Sequence, residues 1–370
     1  MVELKVNFLQ ILNIAVLING LIFCLLLLTK KENKKANRFL SLMIFSICYT
    51  VFTSFIIEFR LYDRYPELHL LPFSLTFVIG PAFYFYTRSL INPEFRFSGK
   101  HWWHFSLIIL NYLHSIYHLI YGRHLPHPFI HNFTEALPSY ALISVFIYLL
   151  ISYRFVANYQ KSIQNIISNT AHVQLNWVKQ FIIILFSAFI ILFIARFIDY
   201  KDLVDFSREA YQGYMFNYRD YLYLGISFTI FWLSIGGFYQ SQIVHSKNNF
   251  PNSPDDGKDY SGIGSALVKF MDEKKLYLNP ELNLAMLGAE SNFSGKEISV
   301  TLNHHLKKNF YWFVNEYRVE EAKMRLSDPQ NDHLTILTIA FDCGFNSKAT
   351  FNRIFKKITG KNPKYFRTHS

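Results

Sequence analysis

Five polar side chains near the C-terminal end, Lys348, Asn352, Arg353, Lys356 and Lys357, are of the types that read and hold duplex DNA. A guanidinium matches the two acceptors on a guanine edge, a carboxamide matches adenine, and ammonium groups neutralise phosphates. Such chemistry requires the side chains to stand together on the free face of one helix. The spacing predicts this, because Phe351, Ile354 and Phe355 recur at i, i+3, i+4 and give the helix an apolar face, while Lys348, Asn352 and Arg353 fall off it.

A second short helix must buttress the first. Ile336, Ile339 and Ala340 repeat the same apolar spacing just upstream, and Gly344 follows, a residue free to take the positive φ of a tight helix-to-helix turn. Phe345 is placed to fill the angle between the helices, and Ser347 to cap the next one. Two helices crossed about a glycine turn are a helix-turn-helix. After Asp342 no acidic residue follows, whereas Lys348, Arg353, Lys356, Lys357, Lys361, Lys364 and Arg367 are basic. Charge alone would equally suit a solvated surface helix; the glycine turn separates the two readings.

The run G-F-N-S-K-A-T-F-N-R-I-F-K-K-I-T-G-K-N-P-K-Y-F-R resembles the second helix-turn-helix of the AraC/XylS transcription regulators, whose signature runs GF, a phenylalanine helix, FKK, G, P and YR. The resemblance reaches back to about residue 261 and covers 261–370. It implies a regulator that is not an enzyme and needs no cofactor, with double-stranded DNA and RNA polymerase as partners. It also implies a DNA-facing set of Lys348, Ala349, Asn352, Arg353, Lys356 and Lys357 in the second module.

In the first module, Asn283 is read as the cap of a helix holding Leu284, Leu287 and Gly288, and Ser294 as the cap of one holding Ile298 and Leu302. The family motif makes Gly295, Lys296, Ser299 and Val300 its outward positions. Val300 stands where many relatives carry a larger polar side chain, Gly288 where they carry another small residue, and Lys307 where they carry glycine. Residues 310–327 read as one long helix joining the modules, packed through Phe310, Phe313, Tyr317 and Ala322 and stopped at Asp328-Pro329. In the family this helix sets two recognition helices roughly 34 Å apart along one DNA face. Its Arg318, Glu320 and Glu321 read as structural or solvated.

The rest of the chain is of another character. With 51% hydrophobic, 18% aromatic and only 17% charged residues, the composition points to a bilayer. Apolar runs at about 8–28, 39–59, 70–90, 104–121, 138–157, 180–200 and 219–240 suggest seven spans, each near the ~20 residues a membrane helix needs. Lys30, Lys31, Lys34, Lys35 and Arg38 follow the first run, which places the N-terminus outside and the C-terminal domain in the cytoplasm, as in a bacterial inner membrane. The expected fold is therefore all-α: a seven-transmembrane-helix bundle over 1–240, a flexible linker over 241–260, and a cytoplasmic double helix-turn-helix domain over 261–370. Cys24, Cys48 and Cys343 do not make a disulfide framework.

No Walker loop, GxSxG, HExxH or paired-cysteine pattern occurs. Ionisable residues near the expected outer ends of the spans, namely Glu58, His114, His118, Arg196 and Asp199, form a candidate pocket for a signal: a small molecule, a proton or a metal. Besides membrane lipid, a second copy of the chain is an expected partner, since confining two tails to a plane raises their effective concentration. The alternative is a membrane enzyme or transporter with a His/acid site at its outer face and an autoregulatory DNA-binding tail.

Overall fold

The computed structural model describes residues 8–59, 61–71, 74–92, 94–121, 128–169, 175–187, 225, 228–240 and 260–368. Among these the chain is helical, with one isolated antiparallel bridge between Ile167 and Asn283 and no strand. It divides into two compact units: 1–156 with 175–243, and 157–174 with 244–370.

In the first unit, helices Phe8–Thr29 and Lys34–Glu58 pack together. Two reciprocal polar contacts join them: the Cys24 thiol donates to the Ser41 carbonyl at 3.4 Å, and the Ser41 hydroxyl donates to the Cys24 carbonyl at 3.2 Å. All three cysteines are buried and free. Helix Thr76–Ile91, which contains Pro81, packs against Lys34–Glu58. Its Phe85 is fully buried and touches the rings of Phe39, Phe95, Phe97, His101 and His104.

The seven expected spans are not reproduced as drawn. Among the described residues two helical stretches are long and apolar enough to cross a membrane, Lys34–Thr53 and Ser139–Ile163; Ile14–Thr29, which is part of the 22-residue helix Phe8–Thr29 at the expected 8–28, and Asn176–Ser187 and Phe228–Tyr239 are shorter apolar stretches. The expected spans at 70–90 and 104–121 become helices of 16 and 14 residues, Thr76–Ile91 and Ile108–Tyr121. The 3-10 helices Pro66–Leu70 and Gly99–Phe105 precede these two and reach only into the first one or two residues of each expected run. The run at 138–157 lies inside a 36-residue helix, Pro128–Ile163. Most of 180–200 and the first part of 219–240 lie outside the described residues, as does the linker at 241–259.

The second unit has two apolar cores joined by one helix. Phe310–Leu326 ends against the cap of Ser327, one residue short of the expected boundary. Its Phe310, Phe313 and Val314 enter a core with Leu267, Met271, Leu284, Leu287, Ile298 and Leu302. Its Tyr311, Val319, Ala322 and Leu326 enter another with Ile339, Cys343, Phe345, Phe351, Ile354 and Phe355. Since full burial of a large apolar side chain is worth about 1.5–3 kcal/mol, Phe351, Ile354 and Phe355 suffice to hold their helix down.

Candidate nucleic-acid interface

The second module takes the geometry its sequence calls for. Helix Ile336–Asp342 begins at Thr335, whose side chain accepts from the Thr338 amide, and helix Lys348–Thr359 begins at Ser347, which accepts from Thr350. Between them Gly344 has φ +89°. Conformation is not its only demand: a Cβ there would stand 2.4 Å from the Tyr277 carbonyl oxygen and 2.9 Å from Arg318 Nε. Phe345 is buried and meets the Phe351 ring edge-on at 5.1 Å.

On Lys348–Thr359, Phe351, Ile354 and Phe355 are buried, and Lys348, Ala349, Asn352, Arg353, Lys356 and Lys357 are all exposed. Two of the six are already engaged within the chain. The Arg353 guanidinium donates to the Tyr311 hydroxyl at 2.9 Å, and the Lys357 ammonium lies 4.2 Å from the centre of the Trp312 ring. Both partners belong to the first turn of the long helix.

In the first module, Asn283 accepts from the Met286 amide and caps Leu284–Ser291. Ser294 and Glu297 form a reciprocal capping box at the start of Gly295–Val300. Gly288 is required by close approach, because a Cβ would lie 2.8 Å from the Phe293 carbonyl oxygen. Lys307 has φ +53°, so the backbone conformation natural to glycine is held here by a lysine.

The outward positions of this module differ from expectation. Lys296 is exposed and Gly295 half-buried, but Ser299 and Val300 are buried, at 6% and 7% exposure. The helix is only six residues long and passes directly into a π-helical turn, Thr301–His305. Helix Ser261–Lys274 packs against both pieces, with Gly264 over Thr301 and Leu306, and the Asn303 amide folds back onto Ser299. A continuous α-helical wheel hides both effects. Over 295–308 the exposed polar side chains are Lys296, His304, His305, Lys307 and Lys308, of which the sequence places only Lys296 among the outward DNA-facing positions.

Residues 287–369 match the family model described as a helix-turn-helix domain. The C-terminal segment is an AraC-type helix-turn-helix domain. Two curated relatives similar to it are named uncharacterized HTH-type transcriptional regulators, from Staphylococcus aureus strains COL and N315; each is 33% identical over 96 residues, or 26% of this chain and 12% of the relative. The match thus spans about an eighth of those relatives' length. No solved structure matches the chain.

The domain also holds a buried polar network around Arg318 and Glu321, two residues that the sequence reads as structural or solvated. Arg318 is 1% exposed; its Nε donates to the Tyr277 carbonyl at 2.7 Å, and its terminal nitrogen to the Asn279 carbonyl at 2.8 Å and the Ser168 hydroxyl at 3.1 Å. Burial pulls this guanidinium down to about 10, still charged at neutral pH. Glu321 accepts from Lys275, Tyr277 and Arg325. Burial alone would raise its carboxyl, but these donors outweigh it and hold the group below the usual range.

Of the proposed signal pocket, Arg196 and Asp199 lie outside the described residues, as do the side chains of Glu58 and His118. His114 is half-buried on Ile108–Tyr121. Among the described residues no group of three metal-ligating side chains occurs.

Proposed function

We propose that the chain is a transcription regulator that binds specific double-stranded DNA through its C-terminal helix-turn-helix domain, while its apolar N-terminal half holds it at a membrane and receives a signal. The observation that carries the DNA reading is the exposed face of Lys348–Thr359, where six expected DNA-facing residues share one side of a helix pinned by three buried apolar ones. Reading is asymmetric: the second module contacts bases, and the first, with Ser299 and Val300 enclosed, contributes mainly through Lys296 and phosphate contacts. The membrane reading draws support from bare apolar side chains in the N-terminal half, among them Leu25 at 65% and Ile120 at 66% exposure, which water would not tolerate in such number.

The test is a genome-wide DNA-occupancy map of the intact chain beside one ending at residue 259. Discrete sites lost on truncation are expected; identical maps refute DNA reading by this domain. Fractionation of the same cells checks the anchor, since an alkaline wash leaves a spanning protein in the membrane pellet and strips a peripheral one. For signal entry, Glu58, His114, His118 and Arg196 are changed singly in a reporter strain, and unaltered induction in all four removes the pocket.

A further inference from the structure

Residues 164–168 follow helix Pro128–Ile163 in the chain, more than ninety residues before the helix-turn-helix domain, yet they are built into that domain's fold. The Leu284 amide donates to the Ile166 carbonyl at 2.8 Å and the Ser168 amide to the Leu282 carbonyl at 3.4 Å, around the antiparallel bridge of Ile167 and Asn283. The Tyr311 amide donates to the Gln164 carbonyl at 2.9 Å, which satisfies a first-turn N–H of the long helix that the helix itself cannot satisfy. The Gln164 side chain accepts from Asn309 at 3.3 Å.

Ser168 is the centre of the arrangement. It is 1% exposed; its carbonyl accepts from the Asn315 side-chain carboxamide (Nδ2) at 3.0 Å, and its hydroxyl donates to the Leu282 carbonyl at 2.5 Å while accepting from Arg318. Asn315 and Arg318 are each 1% exposed, so these are bonds made out of reach of water. Ile166 packs on the core that includes Leu282, Leu284 and Phe310. Backbone pairing, an apolar anchor and a buried polar centre together define a built docking site whose occupant is this segment of the same chain.

We propose that residues 164–168 are an intrachain clamp: they hold the helix-turn-helix domain to the end of helix Pro128–Ile163, independently of the connection through 241–259, and they are the point at which the N-terminal part of the chain controls DNA binding. The clamp grips both modules' supports. Leu282 and Asn283 immediately precede the first helix of the first module. Arg318, held by Ser168, lies over the Phe345 ring at 5.9 Å and lines the space that keeps Gly344 bare. Tyr311, held by Gln164 through its amide, receives Arg353 on its hydroxyl. A displacement of the segment therefore acts on the turn of the second module and on its exposed arginine together.

Docking is tested on the full chain in detergent, with an affinity tag at the N-terminus and a protease site placed within 241–259. After cleavage, the fragment from 260 onward is expected to stay on the resin. Ser168→Pro, which removes both the amide and the hydroxyl, should release it at least about tenfold faster, and an oxidised Ile167→Cys/Asn283→Cys pair should retain it through denaturing washes. Immediate release from the otherwise unaltered chain, or no cross-link on oxidation, overturns the clamp. The control role rests on the DNA reading proposed above and is measured separately: in the uncut chain Ser168→Ala should shift DNA affinity about tenfold, within the span of typical coupling between sites. Unchanged affinity overturns that role. If the unaltered chain binds no DNA at all, the functional reading fails while the resin experiment still judges the docking.

Discussion

The Arg353 guanidinium donates to the Tyr311 hydroxyl at 2.9 Å, so the side chain best suited to guanine is tied to the helix that joins the two modules. A base contact must compete with this bond. Tyr311→Phe removes the competitor, and because one hydrogen bond is worth about 0.5–1.5 kcal/mol net, cognate affinity should rise by up to roughly tenfold. Arg353→Ala should cost about 1–3 kcal/mol on cognate DNA and little on scrambled DNA. Anisotropy titrations with both DNAs separate these outcomes; equal losses on both for Arg353→Ala would show a phosphate contact or a structural strut.

Lys356 and Lys357 are neighbours with different surroundings. Lys356 is exposed, whereas Lys357 sits over the Trp312 ring at 4.2 Å. Each substitution by alanine should lower the magnitude of the salt slope of DNA binding by about one. Only Lys357→Ala should also lower the melting temperature of the DNA-free chain, since an exposed cation–π contact is worth about 0.5–1 kcal/mol. Thermal melts of the two variants side by side check it.

Three left-handed positions form a graded series. Gly344→Ala meets both a positive φ and backbone atoms at 2.4 and 2.9 Å, and should cost more than about 3 kcal/mol. Gly360, at φ +73° but facing open space, should cost only about 1 kcal/mol on the same change. Lys307→Gly should run the other way and stabilise by up to about 1 kcal/mol, because a lysine there bears the strain of φ +53°. Denaturant melts of the three should fall in that order.

The carboxyl of Glu321 is held below its ordinary range by Arg325, Lys275 and Tyr277, against the opposing effect of burial. A carboxyl depressed on folding lends stability that is complete above its unfolded value near 4.5 and is lost as pH falls through the folded value. Glu321→Gln should therefore melt well below the unaltered chain at neutral pH, with the gap closing as the solution is acidified below about 4.5. A gap that stays constant across that range would show that the side chain acts through packing alone.

Much of the helix-turn-helix domain could be read from the residues because its determinants are local. Caps at Asn283, Ser294 and Ser347 act on amides three residues away, the apolar spacing of Phe351, Ile354 and Phe355 repeats within one helix, and Gly344 answers a backbone angle at its own position. Such features survive in a linear string, and they located the exposed polar face of Lys348–Thr359. The apolar runs of the N-terminal part were equally visible, but hydropathy carries no information on where a helix begins within a run, as with Thr76–Ile91, which starts six residues into the expected 70–90. Only tertiary packing decided the burial of Ser299 and Val300, through a helix some thirty residues upstream and a π-helical turn. Only packing, too, brought Ser168 to Leu282 and Arg318, and Arg353 to Tyr311. Those contacts join residues tens to more than a hundred positions apart, and their partners are chosen by which surfaces the cores bring together, a choice that no short window of sequence contains.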